Sequence, residues 1–153
     1  MKHIVYRSIA IVALSTLSLS AQEKKIQRNA LPAAVEKAVQ ANTQGATIKG
    51  FATEVENGKK VYEAETVVNG HTRDLQFGTD GSLNEVEEEV SFESLPAPVK
   101  SALMAKAGTA KIVKVESLTK HDKLVAYEAA TLKGAKRGEV QVGPAGETLK
   151  HEE

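Results

Sequence analysis

The chain has no cysteine and no tryptophan, and its 153 residues include only three phenylalanines and three tyrosines. Without cysteine there is no disulfide framework and no lipoprotein anchor, so a small fold must hold by packing and sheet hydrogen bonds alone. The scarcity of aromatics leaves a core built mostly of Val, Leu, Ile and Ala. There is no excess of positive charge either: 20 Lys and Arg stand against 20 Asp and Glu. A nucleic-acid partner is not expected without a basic surface interleaved with aromatics. No apolar run reaches the roughly 20 residues that span a bilayer. No nucleophile elbow, phosphate loop or dinucleotide fingerprint occurs.

What is present begins with a leader. Lys2, His3 and Arg7 precede an apolar stretch from Ile9 to Leu19, and Ser18-Leu19-Ser20-Ala21 supplies small residues before the charged Gln22-Glu23-Lys24-Lys25. This pattern predicts a secretory signal peptide over residues 1–21, cleaved after Ser20 or Ala21. The mature protein is expected in the periplasm or outside the cell, with no stable membrane anchor. Its 18 bases and 20 acids are unevenly spread. Residues 30–92 carry 11 acids and 5 bases, whereas residues 93–153 carry 8 acids and 10 bases.

The chain also repeats itself. Leu31-Pro32-Ala33-Ala34-Val35 returns as Leu95-Pro96-Ala97-Pro98-Val99, Tyr62-Glu63-Ala64 as Tyr127-Glu128-Ala129, and Gln76-Phe77-Gly78 as Gln141-Val142-Gly143. The offset is 64 at the first block and 65 at the others, so one small indel separates two units. A fixed long period marks one supersecondary unit used twice. Each unit opens on an amphipathic helix, with Leu31, Val35, Ala38 and Val39 on one stripe and Leu95, Val99, Ala102 and Leu103 on its copy.

Asn57-Gly58 and Asn69-Gly70 are two-residue hairpin signals, because both central positions need φ > 0. Two-residue loops at these points place Phe51, Val55, Tyr62, Ala64, Leu75 and Phe77 on one sheet face. The opposite face then receives Glu54, Glu56, Glu63, Glu65, Asp74 and Gln76. Such segregation is expected of an antiparallel sheet with helix on one side and water on the other. Asp80-Gly81 suggests a further hairpin into Leu83–Val90; a two-residue loop there pairs Leu75 with Val86 but puts Leu83 on the wrong side, so a bulge or a longer loop is expected. Gly134-Ala135 pairs Tyr127 with Val142 and Glu128 with Gln141. The expected fold is α+β: two tandem αββββ units with helices packed on one face of an antiparallel sheet. Residues 22–29 read as a linker, 30–92 as the first unit and 93–153 as the second.

The Leu-Pro helix start, the Tyr62-Glu63-Ala64-Glu65 block and the Phe77-Gly78-Thr79-Asp80-Gly81-Ser82-Leu83 turn resemble the PepSY-like family, also described as putative β-lactamase-inhibitor-like. The resemblance covers both repeats. It implies exported proteins with a curved antiparallel sheet, and binding or inhibition of another protein, with peptidases the usual suggestion. It supplies no catalytic residues. An inhibitor of β-lactamase would present bulky aromatics on the open face, which here is mostly Glu, Asp and Gln.

That acidic face is the candidate site. Glu65 opposite Asp74 is a like-charge cross-strand pair, which costs stability. The expected function is a non-catalytic protein-binding module, an inhibitor or regulator of a peptidase or other envelope protein. It would use Glu63, Glu65, Asp74 and Gln76, extended by Glu128, Glu139 and Gln141, to meet a partner with a basic patch. Glu85 and Glu87 join the cluster if their strand pairs as expected. The alternative is calcium held by sheet-face carboxylates. Asp80-Gly81-Ser82-Leu83-Asn84 starts like a calcium loop, but Glu85 holds the glycine position and Ser91 the final glutamate position of an EF-hand. His71, His121 and His151 lack metal-ligand spacing and read as solvated loop histidines. No catalytic residue and no cofactor are expected.

Overall fold

The computed structural model describes residues 23–151 and residue 153. The proposed signal peptide and its cleavage point lie outside the described residues. The elements run β1 (Lys24–Ile26), a 3-10 turn (Arg28–Ala30), α1 (Ala33–Asn42), β2 (Thr47–Glu56), β3 (Lys59–Val68), β4 (His71–Gly78) and β5 (Leu83–Glu89). A second 3-10 turn (Phe92–Ser94), α2 (Ala97–Ala107), β6 (Lys111–Lys120), β7 (Lys123–Lys133) and β8 (Lys136–Val142) follow. All eight strands form one antiparallel sheet in chain order.

The turn chemistry sets the registers. Asn57 and Gly58 adopt φ of 49° and 76°, and Asn69 and Gly70 adopt 52° and 90°. These values favour the twist that closes a two-residue hairpin. Phe51 therefore faces Ala64, Tyr62 faces Phe77 and Ala64 faces Leu75. Leu75 meets Val86 across β4 and β5, with a register shift after Gln76. Val35 and Val39 of α1 pack on Phe51, Tyr62, Ala64, Leu75 and Phe77, while Val99 and Leu103 of α2 pack on Val115, Ala129 and Val142. Both helices thus cover the same sheet face. Val55 shares that parity but is half exposed, beyond the reach of α1.

The fold is not the expected pair of αββββ units. Only three strands follow α2, and residues 147–150 form no strand. The ladders locate the error. Lys24 pairs with Thr53 and Lys25 with Ala52; 64 residues later Glu88 pairs with Ser117 and Glu89 with Glu116. Ile26 pairs with Phe51, and the equivalent Val90 N–H donates to the Val115 carbonyl at 2.9 Å. The strand before α2 therefore stands where β1 stands before α1. The repeating pattern is strand, helix, three strands, and β5, which follows β4 through the Asp80-Gly81 turn, opens the second half rather than closing the first. The alternation of Leu83–Glu89 identifies a strand but not the half to which it belongs. The structure also places β1 within residues 22–29.

The indel is local. Glu54 pairs with Val61 and Val55 with Lys60, whereas Leu118 pairs with Ala126 and Thr119 with Leu124. Val125 is the extra residue, absorbed as a bulge in β7. The two chain reversals after the third strand of each half are alike: Gly78 N–H donates to Ser82 O at 2.9 Å, and Gly143 N–H to Glu147 O at 2.8 Å.

Candidate functional site

The face away from the helices is built by strand parity. From β2 to β8 its rows read Ala52, Glu63, Gln76, Glu85, Lys120 and Gly50, Glu65, Asp74, Glu87, Leu118, with Glu89, Glu116, Glu128, Gln141 completing the second half. Among the described residues no Phe or Tyr lies on it; Phe51, Tyr62, Phe77 and Tyr127 all face the helices. A shallow depression of about 360 Å³ lies between Glu23, Lys25, Glu63, Glu65, Thr72 and Asp74.

The acids converge at the middle of the sheet. Carboxylate oxygens of Asp74, Glu87 and Glu116 lie within 4.8 Å of one another, on three neighbouring strands. Lys114 Nζ sits 2.7 Å from Glu116 Oε1, Lys120 Nζ 3.3 Å from Glu85 and Lys25 Nζ 3.3 Å from Glu65. Each of these lysines is thus already engaged. The Thr66 N–H donates to Asp74 Oδ1 at 3.1 Å, and Gln141 Nε2 donates to Glu128 Oε2 at 2.6 Å.

Half-burial among like charges disfavours ionisation. Burial, reinforced by Asp74, Glu23 and Glu65, pushes the Glu63 carboxyl up to about 7. Burial, reinforced by Glu85 and Glu116, pushes Glu87 up to about 8. Burial also raises Asp74 against the opposing Thr66 hydrogen bond, and raises Glu128 against the Gln141 hydrogen bond. Glu89 moves the other way, held down first by the Thr72 N–H.

All seven residues picked from the sequence lie on this face. Glu63 faces Gln76, Glu65 faces Asp74 and Glu128 faces Gln141. Glu139, opposite Ala130, is exposed toward the β8 edge, away from the acidic centre. Glu89 and Glu116 were not among the candidates, although Glu116 is the most buried acid of the cluster at 7% exposure. Their position depends on the β5–β6 ladder, which no turn specifies because α2 intervenes. The repeat itself held the signal, since Glu116 follows from Ala52 by the 64-residue offset.

The PepSY-like family, described as putative β-lactamase-inhibitor-like, matches residues 17–83 and again residues 60–141. The chain belongs to this family. The two matches accord with a tandem repeat. The PepSY-like fold is shared with a BLIP-like protein from Bacteroides fragilis, at TM-score 0.55 and 21% identity over 76% of this chain and 81% of that one. It is also shared with a protein described as putative periplasmic from Bacteroides eggerthii, at TM-score 0.64 and 19% identity over 78% and 86%. A DUF2874-family protein from Bacteroides ovatus aligns at TM-score 0.59 and 18% identity over 78% and 85%. No curated protein sequence matches the chain. Among the described residues no helix is long and apolar enough to cross a membrane.

Proposed function

We propose that this PepSY-like protein is an exported, non-catalytic binding module whose open acidic face docks a basic surface of another envelope or extracellular protein. The observation that carries the reading is the contiguous carboxylate patch of Glu63, Glu65, Asp74, Glu87, Glu116 and Glu128, set on one sheet face where Lys25, Lys114 and Lys120 are each already paired with an acid. Repulsion and desolvation in the free protein are relieved when a cationic group arrives, so complementarity favours a basic partner. The leader pattern and the periplasmic description of one fold relative support a periplasmic setting. The family's association with inhibition supports a regulatory outcome, with a peptidase as the target class. The aromatic-free face argues against β-lactamase as that target. Capture from an envelope extract tests the reading, comparing the wild type with a Glu63→Gln, Asp74→Asn, Glu128→Gln variant. Proteins held by the wild type, eluted by salt and lost by the variant support it. An identical set on both columns removes the face from the binding mechanism.

A second reading is favoured by the Asp74, Glu87 and Glu116 oxygens, whose separation of at most 4.8 Å suits a divalent cation such as calcium. Thermal unfolding with and without millimolar calcium tests it. A rise in Tm that Glu116→Gln abolishes supports cation binding, and an unchanged Tm contradicts it.

A further inference from the structure

At the joint between the two halves, β5 lies along the outer edge of β4, and its Leu83 and Val86 pack onto the first core. Among the described residues no strand does the same for β8, the equivalent of β4, which ends the sheet. The chain enters that position by the same reversal but does not fill it. Thr148 and His151 stand 65 residues after Leu83 and Val86, and residues 147–150 form no strand. The Glu153 N–H donates to Gln141 Oε1 at 2.8 Å, and the Glu153 carboxylate lies 3.6 Å from Lys120 Nζ, so the tail ends over the open face. Burial records the difference. Tyr62 and Leu75 are buried, whereas their equivalents Tyr127 and Val140 are only half-buried, and Lys136, Arg137, Gly138 and Glu139 are exposed.

The Thr131 hydroxyl donates to the Gly138 carbonyl at 2.9 Å, so Gly138 addresses β7. Successive residues of an antiparallel strand turn their backbone groups to opposite sides. Arg137 and Glu139 therefore direct theirs outward, and such an edge is a template for a further strand. Their first-half equivalents serve that purpose. The Thr72 N–H donates to Glu89 of β5, and Asp74 pairs with Glu87. Among the described residues neither Arg137 nor Glu139 has an ion-pair partner.

We propose that the β8 edge pairs with β8 of a second copy of this chain, antiparallel and centred on Gly138, giving a two-fold dimer with one continuous sheet. This contact is separate from the acidic centre and stands whether or not that face binds a partner.

The sequence of β8 selects the register. Outward backbone groups must meet outward groups, which leaves pairings centred on Arg137, Gly138 or Glu139. Centring on Arg137 or Glu139 sets like charges opposite each other. Centring on Gly138 sets Arg137 of each copy opposite Glu139 of the other, two favourable cross-strand pairs on the open face. Gly138 then meets Gly138 at a non-hydrogen-bonded position, where Cα atoms approach to ~4.5 Å. A strand glycine suits such an approach of another backbone, and the first half, whose edge is covered from within, has Arg73 there. On the helix side Lys136 lies opposite Val140, its methylene stem covering the half-buried valine while its ammonium reaches water. The contact closes on itself, and the far edge is β1, three residues with two lysines, so no fibre follows. A ladder this short buries less than the ~1,000 Å² of a stable interface, so the dimer is weak and concentration-dependent.

Sedimentation equilibrium from about 20 µM to about 1 mM tests the proposal, a span that brackets weak association. The weight-average mass is expected to rise toward the dimer across this range. Arg137→Glu and Glu139→Arg each set like charges at both cross-strand pairs, and each is expected to weaken association at least about tenfold. An equimolar mixture of the two variants, and the double variant, restore opposite charges and are expected to associate again. Hydrogen exchange at the Arg137 and Glu139 amides is expected to slow as the wild-type concentration rises. A monomer at the highest concentration overturns the proposal. So does a dimer that the single reversals leave unchanged, or one that protects amides elsewhere but not these two. If a variant does not fold, the concentration dependence of the two wild-type amides decides alone.

Discussion

The two halves of the sheet solve the same geometric problem with opposite side chains. In the first, Gly50 lies opposite Glu65, and a Cβ on Gly50 would come within 2.9 Å of the Glu65 carboxylate. In the second, the equivalent pair is Lys114 opposite Ala130. A small residue beneath a large acid has become a large base beside a small residue. The long side chain has changed strands and its charge is inverted. The cores differ as well. Phe51 and Phe77 of the first half are replaced by Val115 and Val142 in the second. At the C-terminal end of the helix the change runs the other way, since Arg28, Gln40 and Lys49 become Phe92, Met104 and Val113. These apolar residues border a cavity of about 560 Å³, and Met104 and Val113 are more than half exposed. Duplication kept the backbone ladders and freed the side chains, so the acidic character belongs to the first half and the joint rather than to the repeat as such.

Core truncation is the strongest way to sharpen this comparison. Phe77→Ala is expected to cost about 4 kcal/mol, and the equivalent Val142→Ala about 2 kcal/mol, because the larger side chain leaves the larger cavity. Chemical denaturation checks both, and equal losses would contradict the asymmetry of the cores. The turn glycines should instead behave alike. Gly81 and Gly146 have φ of 83° and 85°, and a Cβ on either would lie 2.6 Å from a helix carbonyl, that of Ala34 or Pro98. Alanine at either position is expected to cost about 2–3 kcal/mol, from strain plus the clash. A large difference in Tm between the two variants would break the equivalence of the halves.

Smaller effects probe the surface. Glu65→Gln with Asp74→Asn removes a like-charge pair and is expected to stabilise the free protein by about 0.5 kcal/mol. Glu139→Gln, at the position equivalent to Asp74 but opposite Ala130, should leave stability unchanged in the same assay. Exchanging Met104 for Gln and Val113 for Lys, the first-half residues, should change stability by no more than about 0.5 kcal/mol, because both side chains are exposed.

How much of this was legible depended on what connects the strands. Asn57-Gly58 and Asn69-Gly70 dictate two-residue loops, so β2, β3 and β4 could be paired residue by residue and six open-face positions named, Glu54, Glu56, Glu63, Glu65, Asp74 and Gln76. The β5–β6 register carries no such mark, since α2 separates the strands, and Glu89 and Glu116 escaped for that reason. β1 is three residues long with two lysines, too short and too polar for alternation to register. Assigning β5 to the first half followed chain order across the Asp80-Gly81 turn, whereas only the β1–β2 ladder reveals its counterpart. Val55 shows the limit of parity: it sets the face, but burial also requires a helix above it.

The central claim is that the acidic face of the first half and the joint receives cationic groups. Titrating the isotopically labelled protein with a lysine-rich peptide, while following backbone amide resonances, tests it most directly. The account predicts saturable, salt-sensitive shifts at Glu63, Glu65, Asp74, Glu87 and Glu116, with Lys136 and Arg137 at the β8 edge unmoved. Shifts confined to the helix side, or no saturable shifts at low salt, would contradict it.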